Sequence, residues 1–143
     1  MYVYVSTCEH VVSRGDHVAI RRGLYVHHCI YMGDGICAHL TLDGVVQSNI
    51  DVLVGKRCFW VIRHPNPYSP HEIIERVNSR LYDDTTYNLI FNNCEHFCSW
   101  ACTGFRWSSQ VFGTMAVGWW FGPLGHIIGQ IANNRCQKYR LRR

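Results

Sequence analysis

The chain has 143 residues, of which 48% are apolar, so it is long enough for one hydrophobic core but too short for two ordinary domains. It carries 14 basic and 10 acidic residues, and five of the basic ones lie in the last nine positions. The rest of the chain is therefore close to neutral, which argues against a nucleic-acid-binding body, whereas the basic tail suits an acidic membrane surface or phosphates.

Eight cysteines in a chain of this size would indicate a disulfide framework in a secreted protein. No charged segment followed by an apolar one opens the sequence, as a secretion signal would require. We therefore expect a cytoplasmic, reducing location, in which most of the cysteines are core residues and the others are metal ligands or a nucleophile.

The first half of the chain predicts an antiparallel sheet. Short β-type runs cover residues 17–20, 27–32 and 36–42, and the second and third are separated by Gly33, Asp34 and Gly35. A further apolar run over residues 58–62 ends before two prolines, which prevent continued strand pairing. These features predict strands and a hairpin.

Two helices are predicted downstream. Ser69 and Pro70 form a typical helix start, and apolar residues follow at helical spacing, so we predict a helix over residues 70–81. A second helix is expected to begin near Asn93, whose side chain caps the first turn and places Cys94 at the positive end of the helix. That position favours an anion.

The C-terminal part differs from the rest of the chain. Residues 107–134 contain no charged side chain, and this segment is long enough to span a bilayer. Residues 135–143 form the basic tail. Pro123 and five glycines favour a broken helix, an interfacial segment or a hairpin packed on the domain over a continuous span. We divide the chain into a domain over residues 1–106 and a hydrophobic, membrane-seeking segment over residues 107–143.

Cys94 is the candidate nucleophile, because a helix N-terminus and a nearby imidazole both stabilise a thiolate. The imidazole has to come from elsewhere in the chain, and the hairpin supplies candidates. A three-residue loop places His27 and His39 on one face as diagonal neighbours, whereas a two-residue turn shifts the register and puts His28 on the face of His39. Periodicity alone leaves both registers open.

The residues around this hairpin and around Cys94 resemble a known family. The run from Tyr25 to Gly35, followed by Ala38, His39 and Leu40, is similar to the histidine box (H-box) of lecithin:retinol acyltransferase-like (LRAT-like) proteins. The run from Asn93 to Phe97 resembles the asparagine-cysteine (NC) motif of that family. The resemblance covers roughly residues 14–105.

The resemblance implies a fold and a site. The implied fold is a permuted papain-like α+β domain with an antiparallel sheet and a nucleophile-bearing helix, the histidines preceding the cysteine. By the family's motifs, His27 is the general base, His39 orients it, and Cys94 is the catalytic nucleophile. The resemblance therefore implies the first register, with His27 and His39 facing Cys94. The implied chemistry is attack on a lipid ester, formation of a thioester, and transfer of the acyl group to water, an amine or an alcohol.

The same two motifs mark a group of picornaviral 2A proteins that are not polyprotein proteases. His28 stands where the cellular family has a tryptophan, and the interval from His39 to Cys94 is short, which favours this viral branch. We therefore expect a viral protein in the host cytoplasm, at intracellular membranes, with acyltransferase or phospholipase A-like chemistry. The alternative is a catalytically silent interaction module that supports viral RNA replication or binds host factors.

Partners and cofactors follow from the same features. A phospholipid or membrane surface is the expected partner. The alternatives are self-association through residues 107–134, binding of viral RNA by the basic tail, and binding of host proteins. No cofactor and no metal are expected: Cys94, Cys98 and Cys102 form one helical stripe, but structural zinc favours closer cysteine pairs from two loops.

Overall fold

The computed structural model describes residues 12–82 and 93–108. It has eight elements in these residues, in an α+β arrangement. They are β1 (His17–Arg22), β2 (Tyr25–Gly33), β3 (Ile36–Thr41), β4 (Gly44–Asn49), α1 (Ile50–Val54), β5 (Phe59–Ile62), α2 (Pro70–Asn78) and α3 (Cys94–Thr103).

The strands form one five-stranded sheet in the order β4-β3-β2-β1-β5, and all neighbouring strands are antiparallel. This confirms the antiparallel sheet expected from the sequence. The helix predicted over residues 70–81 is α2, which begins at Pro70 with the Ser69 side chain accepting from the Glu72 amide. Strand β4 and helix α1 were not predicted.

The two faces of the sheet carry different helices. Residues of α2 and α3 pack with Ile30, Ala38 and Leu40 on one face, which we call the α3 face. Residues of α1 pack with Val18, Cys29 and Cys37 on the other, which we call the α1 face. Because side chains alternate along a strand, this division fixes which residues of β2 can meet α3.

The hairpin between β2 and β3 combines features of both registers considered from the sequence. Asp34 and Gly35 form a two-residue turn, in which both have positive φ angles of 51° and 76°. Gly33 pairs with Ile36, but a shift between Tyr31 and Gly33 makes Tyr31 pair with Cys37 and Ile30 with Ala38. The irregularity restores the register of the longer loop for the body of the strands.

Most of the cysteines are buried thiols in this part of the chain, as expected. Free cysteines of the described residues are Cys29, Cys37, Cys94, Cys98 and Cys102, all of them buried. Cys58 is the exception, since it is disulfide-bonded. In residues 12–82 and 93–108, no helix is long and apolar enough to cross a membrane. The predicted membrane-seeking segment lies outside these residues, apart from Trp107 and Ser108.

Candidate active site

Cys94 is the first residue of α3, as the sequence predicts. The Oδ1 atom of Asn93 accepts from the amides of Glu95 and His96, both at 3.0 Å. The Nδ1 atom of His96 in turn accepts from the Asn93 amide at 3.4 Å. This reciprocal capping box satisfies amides that the first helical turn otherwise leaves unpaired, and it gives His96 a structural role.

The Cys94 sulfur is buried and is surrounded by amide donors. It accepts from the backbone amides of His28 and Glu95 and from its own amide, and all three donors lower the pKa of the thiol. Burial has the larger, opposite effect and raises that pKa to about 11. Cys94 is therefore a neutral thiol at neutral pH, and its sulfur can react as thiolate only after a base removes the proton.

His27 and His39 contact each other through their rings. Nε2 of His27 lies 3.0 Å from Nδ1 of His39, and Nε2 of His39 lies 3.0 Å from Oγ of Ser48. Burial lowers the pKa of His27 to about 3 and that of His39 to about 4. Both rings are neutral at neutral pH, and a neutral imidazole is the form that accepts a proton.

The chain of contacts from Ser48 to His27 defines one useful tautomer. If Nε2–H of His27 donates to His39, and Nε2–H of His39 donates to the Ser48 hydroxyl, then Nδ1 of His27 carries the free lone pair. The reverse direction of donation is equally compatible with the distances and leaves a proton on that atom. The Ser48 hydroxyl can accept or donate, so it supports either tautomer, and it holds the His39 ring in contact with His27.

The predicted register is confirmed by this contact, since His27 and His39 share the α1 face with the hydrogen-bonded pair Cys29 and Cys37. The predicted orientation toward Cys94 is not what the structure shows. α3 packs on the other face, where His28 and Ile30 are the inward side chains of β2. The hairpin register does not determine which face receives α3, which is why the sequence argument was wrong on this point.

The hydrogen bond from the His28 amide places the Cys94 sulfur at the backbone of β2, one residue from His27. The Tyr31 amide donates to the Asp16 carbonyl, so the amides of odd-numbered residues of β2 point toward β1. The amides of even-numbered residues, including His28, therefore point toward β3. The β2–β3 pairs extend only as far as Ile30 and Ala38, so the His28 amide is available to the sulfur. Cys94 therefore lies at the gap where the two strands part.

A second group of polar side chains lies on the α3 face. Nε2 of His17 is 2.8 Å from Nδ1 of His28, and Nδ1 of His17 is 2.8 Å from Nε2 of His64. The other nitrogen of His28 is buried and has no hydrogen-bond partner among residues 12–82 and 93–108. His28 is thus the histidine of β2 whose imidazole lies on the α3 face, together with those of His17 and His64.

Glu95 and Ser108 connect the start of α3 to the chain that follows it. Glu95 is completely buried, and Ser108 Oγ donates to its carboxylate at 2.6 Å. The amide nitrogen of the Asn93 side chain donates to the same hydroxyl at 3.3 Å. Ser108 lies beyond the predicted domain boundary at residue 106, yet it holds the cap of the nucleophile-bearing helix.

Sequence reasoning missed Ser48, Ser108 and His17. The alternation of buried and exposed positions in β4 places Ser48 beside His39, but the sequence of β4 is too polar to be recognised as a strand. Ser108 contacts Glu95, which is 13 positions away in the sequence, and His17 contacts His28, which is 11 positions away. No local sequence pattern reveals such contacts.

The structure thus combines, in one α+β domain, a buried cysteine at a capped helix N-terminus and a hydrogen-bonded histidine pair on adjacent strands, the residue types that a thiol–histidine site requires. The sequence pattern of the lecithin retinol acyltransferase (LRAT) family matches residues 10–60 and 44–106. These ranges cover more than half of the chain, and the chain belongs to that family.

Individual relatives agree with this assignment. The chain is 27% identical over 126 residues to human phospholipase A and acyltransferase 2, covering 72% of this chain and 78% of the relative. It is 27% identical over 151 residues to phospholipase A and acyltransferase 3 of Pongo abelii, covering 87% and 93%. The human form of the latter is 29% identical over 120 residues, covering 68% and 74%.

Proposed function

We propose that this protein is a thiol acyltransferase or phospholipase A-like enzyme that acts on lipid esters through an acyl thioester on Cys94. The observation that carries the proposal is the hydrogen bond between His27 and His39 beside the gap that holds the Cys94 sulfur. The family and the names of the relatives support the same class of chemistry.

The proposed reaction has two steps. In the first, Nδ1 of His27 takes the proton of the Cys94 thiol while the sulfur attacks the ester carbonyl carbon. The carbon–oxygen bond of the leaving alcohol then breaks, and His27 returns the proton to that oxygen. In the second, water, an amine or an alcohol loses a proton to His27 and attacks the thioester carbon. The carbon–sulfur bond then breaks, and His27 returns the proton to the sulfur, which releases the acyl product and restores the Cys94 thiol.

The protonation states support this division of roles. The pKa of Cys94, near 11, means that the thiol needs a base, and the lowered pKa of His27 means that the base is neutral before the reaction. His39 acts as a positioning residue, since its ring contacts His27 on one side and Ser48 on the other. Because the His27 side chain lies on the α1 face and α3 packs on the other face, proton transfer requires the His27 ring and the sulfur to approach each other through the gap between β2 and β3.

We further propose that the chain is the picornaviral 2A (H-box/NC) form of this fold, located at cytoplasmic membranes of the host cell. The replacement of a tryptophan by His28 and the short interval from His39 to Cys94 support the viral branch. The order of the motifs, histidines before cysteine, supports the permuted papain-like relationship. The apolar segment over residues 107–134 supports a membrane or self-association role.

Intact-mass spectrometry after incubation with phosphatidylcholine vesicles tests the enzymatic proposal. The wild-type chain should gain the mass of one acyl group, and the adduct should map to Cys94 and disappear with hydroxylamine. Cys94→Ala should abolish it, whereas Cys98→Ala, one turn further along α3, should retain it. Absence of an adduct and of released fatty acid in the wild type would reject the enzymatic proposal.

One observation favours the second candidate, a non-enzymatic interaction module. In the described part of the chain, no hydrogen bond links the Cys94 sulfur to the His27 ring, and Cys94 as a residue is only 4% exposed. If the same experiment yields no adduct, while Cys94→Ala leaves binding to viral RNA or host proteins unchanged, the module is the better description.

A further inference from the structure

A cluster of metal-ligating side chains lies on the α3 face, apart from His27 and His39. The cluster consists of His17, His64 and Cys102. Each residue offers one ligand atom, and these three atoms lie within 4.8 Å of one another. His17 begins β1, His64 follows β5, and Cys102 lies in the last turns of α3, so the cluster joins three elements. His17 and Cys102 are buried, and His64 is half-buried.

The distances suit a single tetrahedral ion. The facing nitrogens, Nδ1 of His17 and Nε2 of His64, are 2.8 Å apart, and the two rings are stacked with centroids at 5.1 Å. Tetrahedral zinc, with Zn–N distances of about 2.0–2.1 Å and Zn–S of about 2.3 Å, keeps neighbouring ligand atoms roughly 3–4 Å apart. Small side-chain shifts therefore bring all three donors onto one ion.

We infer that His17, His64 and Cys102 form a binding site for a zinc-class divalent cation. Two imidazole nitrogens and one thiolate are a donor set typical of zinc, and the fourth position is left to water. Binding replaces the hydrogen bond between the two rings, and Cys102 releases its proton to solvent as the metal–sulfur bond forms.

The surroundings of His17 fit the role of a ligand. A metal-bound histidine ordinarily donates its other N–H group to a fixed acceptor, which sets the tautomer and the ring orientation. Nε2 of His17 lies 2.8 Å from Nδ1 of His28, which is the contact required when Nδ1 of His17 binds the metal. His28 therefore orients the proposed ligand from the neighbouring strand.

Metal binding at this cluster has a structural consequence for α3. Cys102 and Cys94 lie on the same face of α3, eight residues apart, so an ion held by Cys102 ties this helix to β1 and to the segment after β5. The inference goes beyond the proposed acyl-transfer function, because metal binding is measured without any lipid and does not depend on turnover.

Titration of the chelator-treated full chain with Co²⁺, followed by displacement with Zn²⁺, tests the inference. The expected result is one equivalent of Co²⁺ with the d–d absorption of a tetrahedral ion and a thiolate-to-cobalt charge-transfer band. His64→Gln and Cys102→Ser should weaken binding at least tenfold, and Cys102→Ser should lose the charge-transfer band. Zinc should raise the melting temperature of the wild type but not of these variants.

Two control variants separate this cluster from other ligands. His71→Gln changes an exposed histidine, and Cys94→Ser removes the candidate nucleophile, and both should retain the tetrahedral bands. Circular dichroism establishes whether each variant is folded. If Cys102→Ser is unfolded, His64→Gln, which changes a half-buried residue, tests the metal site on its own. Retention of the bands in folded His64→Gln, their loss in either control, or absence of stoichiometric binding in the wild type would overturn the inference.

Discussion

The sulfur of Cys94 accepts a hydrogen bond from the backbone amide of His28, the residue next to the predicted base His27. This contact fixes the position of the α3 N-terminus relative to β2 without using any side chain of the strand. It also places the His28 ring, and not that of His27, on the face to which α3 binds. The reactivity of Cys94 thus depends on two opposing influences, burial and amide donors.

Alkylation of Cys94 by iodoacetamide should accelerate with pH and show no plateau below about pH 10. The pKa of Cys94 lies near 11, so the thiolate fraction increases about tenfold per pH unit until that value is approached. Rates at each site are obtained by peptide mapping after timed labelling. A plateau near neutral pH would instead reveal a thiolate–imidazolium pair.

Cys94 should nevertheless react faster than Cys98 and Cys102 at every pH. Burial raises the pKa of Cys102 to about 12 and that of Cys98 well above its ordinary value, and neither thiol has the three amide donors of Cys94. Equal rates at the three positions would contradict the activating role of the helix N-terminus.

The stability of the domain should fall as the pH is lowered below 6.5. Burial depresses the pKa of His27 to about 3 and that of His39 to about 4, so the unfolded chain binds protons that the folded chain excludes. Stability is therefore fully present above 6.5 and is lost toward pH 4, by about 1.4 kcal/mol per pH unit for each such histidine. Urea unfolding from pH 7 to pH 4.5 measures the slope.

His39→Gln provides the matched comparison. The variant lacks one imidazole that binds a proton in the unfolded chain but not in the folded chain. The slope of unfolding free energy against pH should therefore decrease by about one histidine's contribution. The exposed variant His71→Gln should leave the slope unchanged. An unaltered slope in His39→Gln would show that His39 is protonated in the folded domain.

Ser48→Ala should reduce the rate of acyl-adduct formation on Cys94 about tenfold, if the proposed function holds. The Ser48 hydroxyl contacts Nε2 of His39 at 3.0 Å, and without it the His39 ring that orients His27 is held on one side only. Gln47→Ala, at the exposed neighbouring position, is the control, and Ser48→Thr should restore the rate. Equal rates in Ser48→Ala and the wild type would exclude this positioning role.

Local patterns were sufficient for the elements that carry the site. The start of α2 at Pro70 and of α3 at Cys94 followed from their capping residues, and the strands before them followed from β-type runs. β4 and α1 were missed because each is short, and β4 mixes two valines with exposed polar residues.

The parts that could not be predicted depend on contacts between distant residues. The shift between Tyr31 and Gly33 decides the register after the turn, and no residue type signals it. The choice of sheet face for α3 results from the packing of the whole helix on Ile30, Ala38 and Leu40. The proximity of His17 to His64, which are 47 positions apart, is likewise a property of the folded sheet.

Ser108→Ala should lower the free energy of unfolding by about 1–3 kcal/mol, because it removes the donor to the buried carboxylate of Glu95. Chemical denaturation measures the loss. Phe105→Ala, at a position 78% exposed, is the control and should change stability much less. An unchanged stability in Ser108→Ala would mean that Glu95 does not depend on this hydroxyl.

The apolar C-terminal segment should direct the protein to anionic membranes, and the contacts of Ser108 define where to truncate the chain for the test. A chain that ends at Ser108 keeps the donor to Glu95 and should remain folded, whereas one that ends at Arg106 also loses that hydrogen bond. If lipid covers residues 109–134, the chain ending at Ser108 should lose binding in vesicle sedimentation while keeping its circular dichroism spectrum. Removal of residues 135–143 alone should weaken binding to anionic vesicles more than to neutral ones, since each basic residue near the surface contributes on the order of 1 kcal/mol. Equal binding to both vesicle types would eliminate the electrostatic contribution, and unfolding of the chain that ends at Ser108 would assign the segment to the core of the domain.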